Sequence, residues 1–150
     1  MLSITIIIPV YNEEENIEWV IKDTLKTLPK YFKDWEIIAV DDGSEDKAGQ
    51  ILEQLATKSP KLKVIHQEHG GYSKAMLTGI NAATKDYIAY MPADGQFLVS
   101  DMRHCFEIMS KNDLVLGYRG SRPDYTVKRI IFSYGYLLLL LFLFGIRWID

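Results

Sequence analysis

The sequence predicts an α/β domain built on a mostly parallel sheet with helices on both faces. Short runs of β-branched and other apolar residues, typical of strands covered on both faces, alternate with stretches whose apolar residues recur at helical spacing. A strand, a helix and a further strand at this spacing give a right-handed crossover and parallel pairing. The 150 residues suffice for one such domain, and no internal repeat divides them.

The elements follow from local patterns along the chain. The expected strands are residues 3–9, 35–40, 62–66, 86–91 and 113–118. The expected helices are residues 17–28, a segment after Ser44, residues 72–83 and residues 99–110. Pro29 ends the first helix because it follows the last residue with helical apolar spacing. Ser44 is a residue type that caps helix starts, so we expect it to cap the second helix.

An uncharged run, residues 130–146, follows the expected α/β domain and has basic residues on both sides. As a helix it would be about 25 Å long, short of the roughly 30 Å hydrocarbon core of a bilayer. A buried core helix is the alternative, but a helix this apolar needs more cover than a small domain offers. We therefore expect an interfacial helix with Trp148 at its edge, and a division into residues 1–125 and 126–150.

Composition excludes several classes of protein. The formal charge of −3 argues against nucleic acid as a partner. The chain has no glycine-rich phosphate loop of the dinucleotide or P-loop type and no paired-cysteine zinc motif.

The single Cys105 predicts a reducing compartment and a packing role, and the N-terminal residues do not read as a signal peptide. His66 and His69 are expected to be solvated loop residues.

Polar residues cluster where the predicted strands end. The clusters are "PVYNEEEN" at 9–16, "DDGSED" at 41–46, "QEHGGYSK" at 67–74 and "PADGQ" at 92–96. Ligands of parallel α/β sheets bind beyond the carboxyl ends of the strands. The sequence therefore predicts one ligand crevice formed by these four loops.

Asp94 and Gln96 are the candidate metal ligands of this crevice. A hard cation such as Mg²⁺ or Mn²⁺ prefers oxygen ligands and keeps substrate phosphates and water in its shell. Gly95, between them, lets the backbone turn closely around an ion. A plain turn is the alternative for these three residues taken alone.

Asp41 and Asp42 lead into Gly43 and Ser44, a combination with two readings. One is a tight turn followed by a helix cap. The other is a carboxylate that accepts hydrogen bonds from a base or ribose lying across the crevice. Glu13 likewise either favours the dipole of the first helix or faces the crevice together with Tyr11.

The ordered motifs resemble family 2 glycosyltransferases with the Rossmann-like GT-A fold. The motifs are "IIIPVYNEEENI", "IIAVDDGSED", "MPADGQF" and "LGYRGSRPD" followed by "KRIIFSYGYLLLLLFLFGI". Within that family they look most like the polyprenyl-phosphate sugar transferases, the group similar to dolichol-phosphate mannosyltransferase. The resemblance spans the whole chain, and the ordered set is far more specific than any single motif.

The resemblance implies a role for each matching position. The donor-binding residues would be Pro9, Tyr11, Glu13, Asp41, Asp42 and Asp94. Asp94 and Gln96 would hold the metal, Mg²⁺ or Mn²⁺. Arg119, Arg129 and Ser133 would hold the phosphate of the lipid acceptor, so Asp94, Arg119 and Arg129 are the implied catalytic residues. Arg129 and Ser133, four residues apart, would share one face of a helix.

The sequence departs from the family pattern in three places. Pro92 stands where the family usually has the first acid of "DADGQ", so the chain lacks the carboxylate that, by this resemblance, helps to hold ribose and metal-bound water. Lys74 stands where the family favours a small residue, and we expect it to be solvated. The chain ends at Asp150, earlier than a complete GT-A domain, so the resemblance implies a truncated C-terminus.

The expected function is metal-dependent, inverting transfer of a sugar from a GDP- or UDP-sugar to a polyprenyl phosphate at the cytoplasmic face of a membrane. The lipid would be a dolichyl or undecaprenyl phosphate. Its phosphate oxygen is already ionised, so little help from a general base is needed. One alternative is a family 2 transferase with a saccharide hydroxyl acceptor, for which no general base is evident. The other is a non-catalytic nucleotide-sugar-binding protein.

Overall fold

The computed structural model describes residues 2–117 and 126–145. The strands are β1 (Ser3–Val10), β2 (Asp34–Asp41), β3 (Leu62–His66) and β4 (Tyr87–Tyr90). The helices are α1 (Ile17–Thr27), α2 (Ala48–Ala56), α3 (Tyr72–Ala82), α4 (Arg103–Ile108) and α5 (Val127–Phe144), with 3-10 turns at Leu28–Lys30, Val99–Met102 and Met109–Lys111. The chain divides into two compact units between Leu116 and Gly117.

The four strands form one parallel sheet in the order β3-β2-β1-β4. The central strand β1 aligns Ile7 with Ile38 of β2 and with Tyr90 of β4. Both faces of β1 are buried, as its unbroken β-branched run predicts. The predicted parallel sheet is therefore confirmed.

Helices cover both faces of the sheet. Alternate β1 residues such as Ile6 and Ile8 share a buried cluster with Ile21 of α1 and Leu52 of α2. Side chains of alternate strand residues point to opposite faces. On the other face Ala75 of α3 packs with Ile38 and Val40 of β2 in a separate cluster. This two-sided cover explains why the strands alternate so little between apolar and polar residues.

Three local predictions differ from the structure. Residues 113–117 form no strand, and Tyr118, the last residue of the predicted fifth strand, lies outside the described residues. The helix expected over 99–110 is α4 with a 3-10 turn on each side. The N-cap of α2 is Lys47, since Ser44 belongs to the turn that precedes the helix.

The second unit contains α5, which begins three residues before the uncharged run and ends two residues before its last residue. Its exposed apolar side chains include Ile131, Phe132, Leu138, Leu139, Leu141, Phe142 and Leu143. Among the helices formed by residues 2–117 and 126–145, none has the length and apolar character needed to cross a bilayer. The division at residue 125 that the sequence suggests stays a prediction.

Candidate functional site

The site is built on the carboxyl ends of neighbouring parallel strands. Val10 ends β1, Asp41 ends β2 and Tyr90 ends β4, and these three strands are adjacent in the sheet. Because the strands are parallel, the loops that follow them leave the sheet at one edge. The loops that contain Tyr11, Asp42 and Asp94 thus start on the same edge, as the sequence predicts.

The loop after β1 is fastened to the loop after β2. The backbone N–H of Asn12 donates to Oγ of Ser44 (3.1 Å), and the N–H of Glu45 donates to Oδ1 of Asn12 (2.8 Å). The N–H of Glu14 donates to Oδ2 of Asp46 (2.8 Å). Asn12 has a positive φ of 54°, which asparagine tolerates better than most residues. Part of the acidity of these loops therefore serves to join them.

Glu13 organises the start of α1. Its carbonyl oxygen accepts hydrogen bonds from the N–H groups of Asn16 (3.1 Å) and Ile17 (2.9 Å). Its carboxylate accepts a further bond from the side-chain amide of Asn16 (2.8 Å). The structure thus supports the helix-start interpretation of Glu13. Its role in binding the nucleotide-sugar donor stays a prediction.

Asp42 is buried, and its carboxylate holds the loop that follows β3. Oδ1 accepts hydrogen bonds from the side-chain amide of Gln67 and from the N–H of Gly70 (3.0 Å), while Oδ2 accepts from the N–H of Gly71 (2.8 Å). Nδ1 of His69 lies 3.0 Å from Oδ2. Burial raises the pKa of Asp42, but these hydrogen bonds lower it by more, so its pKa lies below the ordinary value.

Asp41 is also buried, and each of its oxygens has a partner. Oδ1 accepts from the N–H of Ser44 (3.0 Å), and Oδ2 lies 2.8 Å from Nδ1 of His66. Nε2 of His66 lies 2.8 Å from Oε1 of Glu53 on α2. Hydrogen bonds to Glu53 and Asp41 raise the pKa of His66. Both histidines are about half exposed, at 48% for the His66 side chain and 56% for that of His69, which agrees with the expected solvation. Each ring also contacts a buried aspartate, and His66 ends β3 and is not a loop residue.

Tyr11 and His69 form a tilted pair of rings, and His69 contacts Asp42. Their centroids are 4.3 Å apart, with 32° between the ring planes. About half of each side chain is exposed, at 42% for Tyr11 overall and 56% for the His69 side chain. An exposed aromatic surface fixed to a buried carboxylate can stack against a flat heterocycle such as a nucleobase.

Asp94 lies in a tight turn directly after β4. Its Oδ1 accepts a hydrogen bond from the N–H of Gln96 (3.0 Å), and both side chains are exposed. Gly95 has a φ of 70°, and its missing Cβ leaves the space that the ring of Trp19 occupies. The turn is therefore held against α1, and its carboxylate faces solvent.

Pro92 fits the strand end without disturbing the sheet. The N–H of Met91 makes the last hydrogen bond of this strand, to the carbonyl oxygen of Ile7 (2.9 Å). Proline has no N–H to donate, and the position after the last ladder bond does not require one. The fold therefore accommodates Pro92 at this position.

Tyr72 and Tyr90 link the start of α3 to the Asp94 turn. Their rings pack edge to face, with centroids 5.6 Å apart. Burial, the hydroxyl of Tyr72 and the negative charge of Asp94 together raise the pKa of Tyr90. The ring pairs and the Asp42 contacts thus connect all four loops at one edge.

The predicted acceptor residues lie in or near the second unit. Arg119 is outside the described residues, and Arg129 belongs to the first turn of α5, where its side chain is not described. Ser133 lies one turn further along the same helix, half-buried. Their predicted role in binding a lipid phosphate stays a prediction.

The described residues contain no cluster of three or more His, Cys, Asp or Glu side chains arranged for a metal ion. A metal at Asp94 and Gln96 would therefore need further oxygen ligands from a substrate. Sequence reasoning missed Gln67, Trp19 and the Tyr72–Tyr90 pair, because their roles depend on contacts between distant segments. The neighbouring glycines at 70 and 71 were the one visible signal of a closely approached loop.

A protein-family model described as "Glycosyl transferase family 2" matches residues 5–136. Undecaprenyl-phosphate 4-deoxy-4-formamido-L-arabinose transferase of Pectobacterium atrosepticum is 32% identical over 131 residues, 85% of this chain and 40% of the relative. The uncharacterized glycosyltransferase EpsJ of Bacillus subtilis is 37% identical over 111 residues, 74% of this chain and 31% of the relative. The chain thus spans 40% or less of the length of these two curated relatives.

Two solved structures share the fold. The mannosyltransferase PcManGT of Pyrobaculum calidifontis, in complex with GDP-Man and Mn²⁺, has a TM-score of 0.56 and 27% identity, covering 61% of this chain and 27% of that one. TarS of S. aureus, in complex with UDP-GlcNAc, has a TM-score of 0.63 and 22% identity, covering 83% of this chain and 37% of that one. The predicted GT-A fold is confirmed, and the chain belongs to glycosyl transferase family 2.

Proposed function

We propose that this chain forms the nucleotide-sugar-binding part of a glycosyltransferase that moves a sugar from a GDP- or UDP-sugar to a polyprenyl phosphate. One observation carries the proposal: the exposed Tyr11–His69 ring pair, tied to Asp42, begins at the same sheet edge as the exposed Asp94 turn. A nucleoside diphosphate needs an aromatic or hydrogen-bonding surface for its base and positive charge for its phosphates. An aromatic surface and a potential cation ligand occur here on one edge.

The base would stack on the Tyr11 side of the ring pair. Both Asp42 oxygens already accept hydrogen bonds from the loop at residues 67–71. Asp42 would therefore act mainly by fixing the loop that supports His69, and Asp41 by fixing the turn at Ser44. Pro9 and Glu13 would shape the β1 side of the same pocket.

Asp94 and Gln96 fit a divalent cation by the chemistry of their donors. Both offer hard oxygen ligands on exposed side chains, and one Asp94 oxygen stays available when the other accepts the turn hydrogen bond. Mg²⁺ or Mn²⁺ held there would supply positive charge to the departing diphosphate. Mn²⁺ and GDP-Man are bound together in the similar mannosyltransferase PcManGT, which supports this assignment.

The relatives and the basic residues near α5 support a polyprenyl phosphate as the acceptor. Several relatives, from Pectobacterium, Pseudomonas and other genera, are undecaprenyl-phosphate sugar transferases. Arg119, Arg129 and Ser133 would bind the acceptor phosphate through charge-assisted and hydroxyl hydrogen bonds. An ionised phosphate oxygen needs no general base, and direct attack would invert the anomeric configuration.

Membrane association would come from α5. The helix has one uncharged stretch with exposed apolar side chains, and its first turn contains Lys128 and Arg129. Such a helix suits the interface between headgroups and acyl chains, at the cytoplasmic face where nucleotide sugars are made available. Arg129 would then lie at the depth of a lipid phosphate.

The experiment that tests the function is a transfer assay with lipid acceptors. The protein is incubated with labelled UDP- or GDP-sugars, Mn²⁺ and undecaprenyl or dolichyl phosphate in detergent, and the label that enters the organic phase is counted. Arg129→Ala should abolish transfer, whereas Lys128→Ala, its neighbour on the helix, should retain most of it. Transfer only to a free saccharide, or nucleotide binding without any transfer, would favour the two alternatives instead.

The membrane part has its own test. Replacing Leu139, Leu140 and Leu141 together with Gln removes apolar surface from α5 without changing charge. The variant should stay at the bottom of a liposome flotation gradient, while the parent floats. Equal flotation of both proteins would show that α5 is not the membrane anchor.

A further inference from the structure

The imidazole of His66 lies between two carboxylates from different elements. Nδ1 is 2.8 Å from Oδ2 of Asp41 at the end of β2, and Nε2 is 2.8 Å from Oε1 of Glu53 on α2. A neutral imidazole carries one N–H, so it can donate to only one of these carboxylates. At the other nitrogen a lone pair would face a carboxylate oxygen at hydrogen-bond distance. Both contacts are favourable only for the imidazolium.

Asp41 connects this bridge to the loops of the nucleotide pocket. Its second oxygen accepts the N–H of Ser44 (3.0 Å), and the hydroxyl of Ser44 accepts the N–H of Asn12 (3.1 Å). Asn12 follows Tyr11, the aromatic residue of the pocket. A continuous set of hydrogen bonds thus leads from His66 through the turn after β2 to the loop after β1.

The surroundings keep the bridge in one geometry. Asp41 is 5% exposed, so its carboxylate has little access to water as an alternative partner. A Cβ added to Gly49 would lie 2.6 Å from Oδ2 of Asp41 and 3.4 Å from the His66 ring, so glycine leaves the space that the bridge occupies. Asp41 from β2 and Glu53 from α2 are the charged groups that face the ring.

We propose that His66, as an imidazolium, is a positioning residue that fixes the turn from Asp41 to Ser44 and thereby the Tyr11 side of the nucleotide pocket. The inference deepens the proposed function and depends on that pocket for its effect on nucleotide affinity. By this proposal nucleotide affinity depends on pH through a residue that contacts neither the nucleotide nor the proposed metal site.

The direction of the pH effect follows from the contacts. Hydrogen bonds to Glu53 and Asp41 raise the pKa of His66, so the charged bridge is complete below the ordinary histidine range. It is lost as the pH rises through the raised pKa. Nucleotide affinity should therefore fall on the alkaline side, by about threefold to tenfold for one hydrogen bond lost near the pocket.

The first measurement needs no ligand. In an NMR titration of the parent, the amide signals of Ser44 and Asn12 should shift with the same midpoint as the His66 ring. Glu53→Gln should move that midpoint to lower pH, and His66→Gln should remove the shared transition. His104→Gln is the matched control, because that exposed histidine contacts only Glu107 on its own helix among the described contacts. If the amide signals of Ser44 and Asn12 do not shift as His66 titrates, the proposal is wrong.

The second measurement is the Kd of UDP and of GDP, each with Mn²⁺, across the same pH range. The parent should show the alkaline loss, His66→Gln should be weaker and independent of pH, and Glu53→Gln should shift the midpoint. If His66→Gln weakens binding by the same factor at every pH, the role of His66 is purely structural and the positioning role is wrong. If neither nucleotide binds the parent at any pH, the proposed function fails, and the amide titration still decides whether His66 fixes the turn.

Discussion

The N–H of Gly71 donates to Oδ2 of Asp42 over 2.8 Å, which ties the start of α3 to the end of β2. The same carboxylate also accepts from Gly70 and Gln67. Asp42→Ala leaves these donors without their acceptor, and we expect a loss of about 3 kcal/mol in the free energy of unfolding. Urea denaturation followed by circular dichroism measures it. Glu68→Ala, an exposed change in the same loop, should cost little.

Asp42→Ala should also weaken nucleotide binding by about 1–3 kcal/mol, because the loop that supports His69 loses its anchor. Calorimetry with UDP and GDP at a temperature where the variant is folded measures this. An unchanged Kd in a folded variant would mean that Asp42 stabilises the fold and has no part in binding.

The Asp42 anchor should weaken in acid. Burial raises the pKa of Asp42, but the hydrogen bonds from Gln67, Gly70 and Gly71 lower it by more, so the folded pKa lies below the unfolded one. Its contribution is therefore present above the ordinary carboxyl range, about pH 4, and is lost as the pH falls through the folded pKa. The difference in unfolding free energy between parent and Asp42→Asn should shrink below about pH 5, as the pH falls towards and through the folded pKa. A constant difference would contradict this.

Nucleotide binding should depend on a divalent metal through Asp94. Asp94→Asn keeps an oxygen that can accept the N–H of Gln96, so the turn should persist, but it removes the charge that a cation requires. In calorimetry the parent should bind UDP or GDP much more tightly with Mn²⁺ than with a chelator, and the variant should bind equally in both. Metal dependence that survives in the folded variant would exclude Asp94 as a ligand.

Pro92→Asp should tighten nucleotide binding when metal is present. A carboxylate two residues before Asp94 adds negative charge where a cation and ribose hydroxyls would lie, in a crevice less screened than bulk water. Loss of the proline ring costs up to about 1 kcal/mol, mainly through the unfolded state. Pro92→Asn is the control for shape without charge. Equal affinities of the two variants in Mn²⁺ would mean that Pro92 does not replace a lost ligand.

Gly95→Ala should destabilise the protein more than Gly71→Ala. Both glycines have positive φ, 70° and 83°, and Gly71 also has a ψ of 166°, so alanine at either is strained by about 1–3 kcal/mol. A Cβ at Gly95 also collides with the ring of Trp19, whereas nothing lies within 4 Å of a Cβ at Gly71. Urea denaturation compares the two variants. Equal losses would mean that Trp19 moves aside at no cost.

The sequence by itself was sufficient for the order of strands and helices and for the sheet edge that holds the site. β1 and β3 lie within one residue of their predicted ends, because short runs rich in apolar residues and bounded by turn residues leave few alternatives. Asp94, Gly95 and Gln96 form a turn for an equally local reason, since Asp and Gly are residue types that favour turns. The prediction of a fifth strand was wrong over residues 113–117. A short apolar run forms a strand only if a neighbouring strand is available in the fold.

The tertiary structure decided which polar side chains bind the protein itself and which face solvent. Asp41 and Asp42 are adjacent in sequence and look equivalent, yet one contacts His66 and Ser44 while the other holds the loop at residues 67–71. These partners lie up to 29 residues away, as Gly71 does from Asp42, so no local pattern contains them. Hydrogen bonds of buried carboxylates depend on loops that meet only when parallel strands align their ends, and that alignment is a property of the folded sheet.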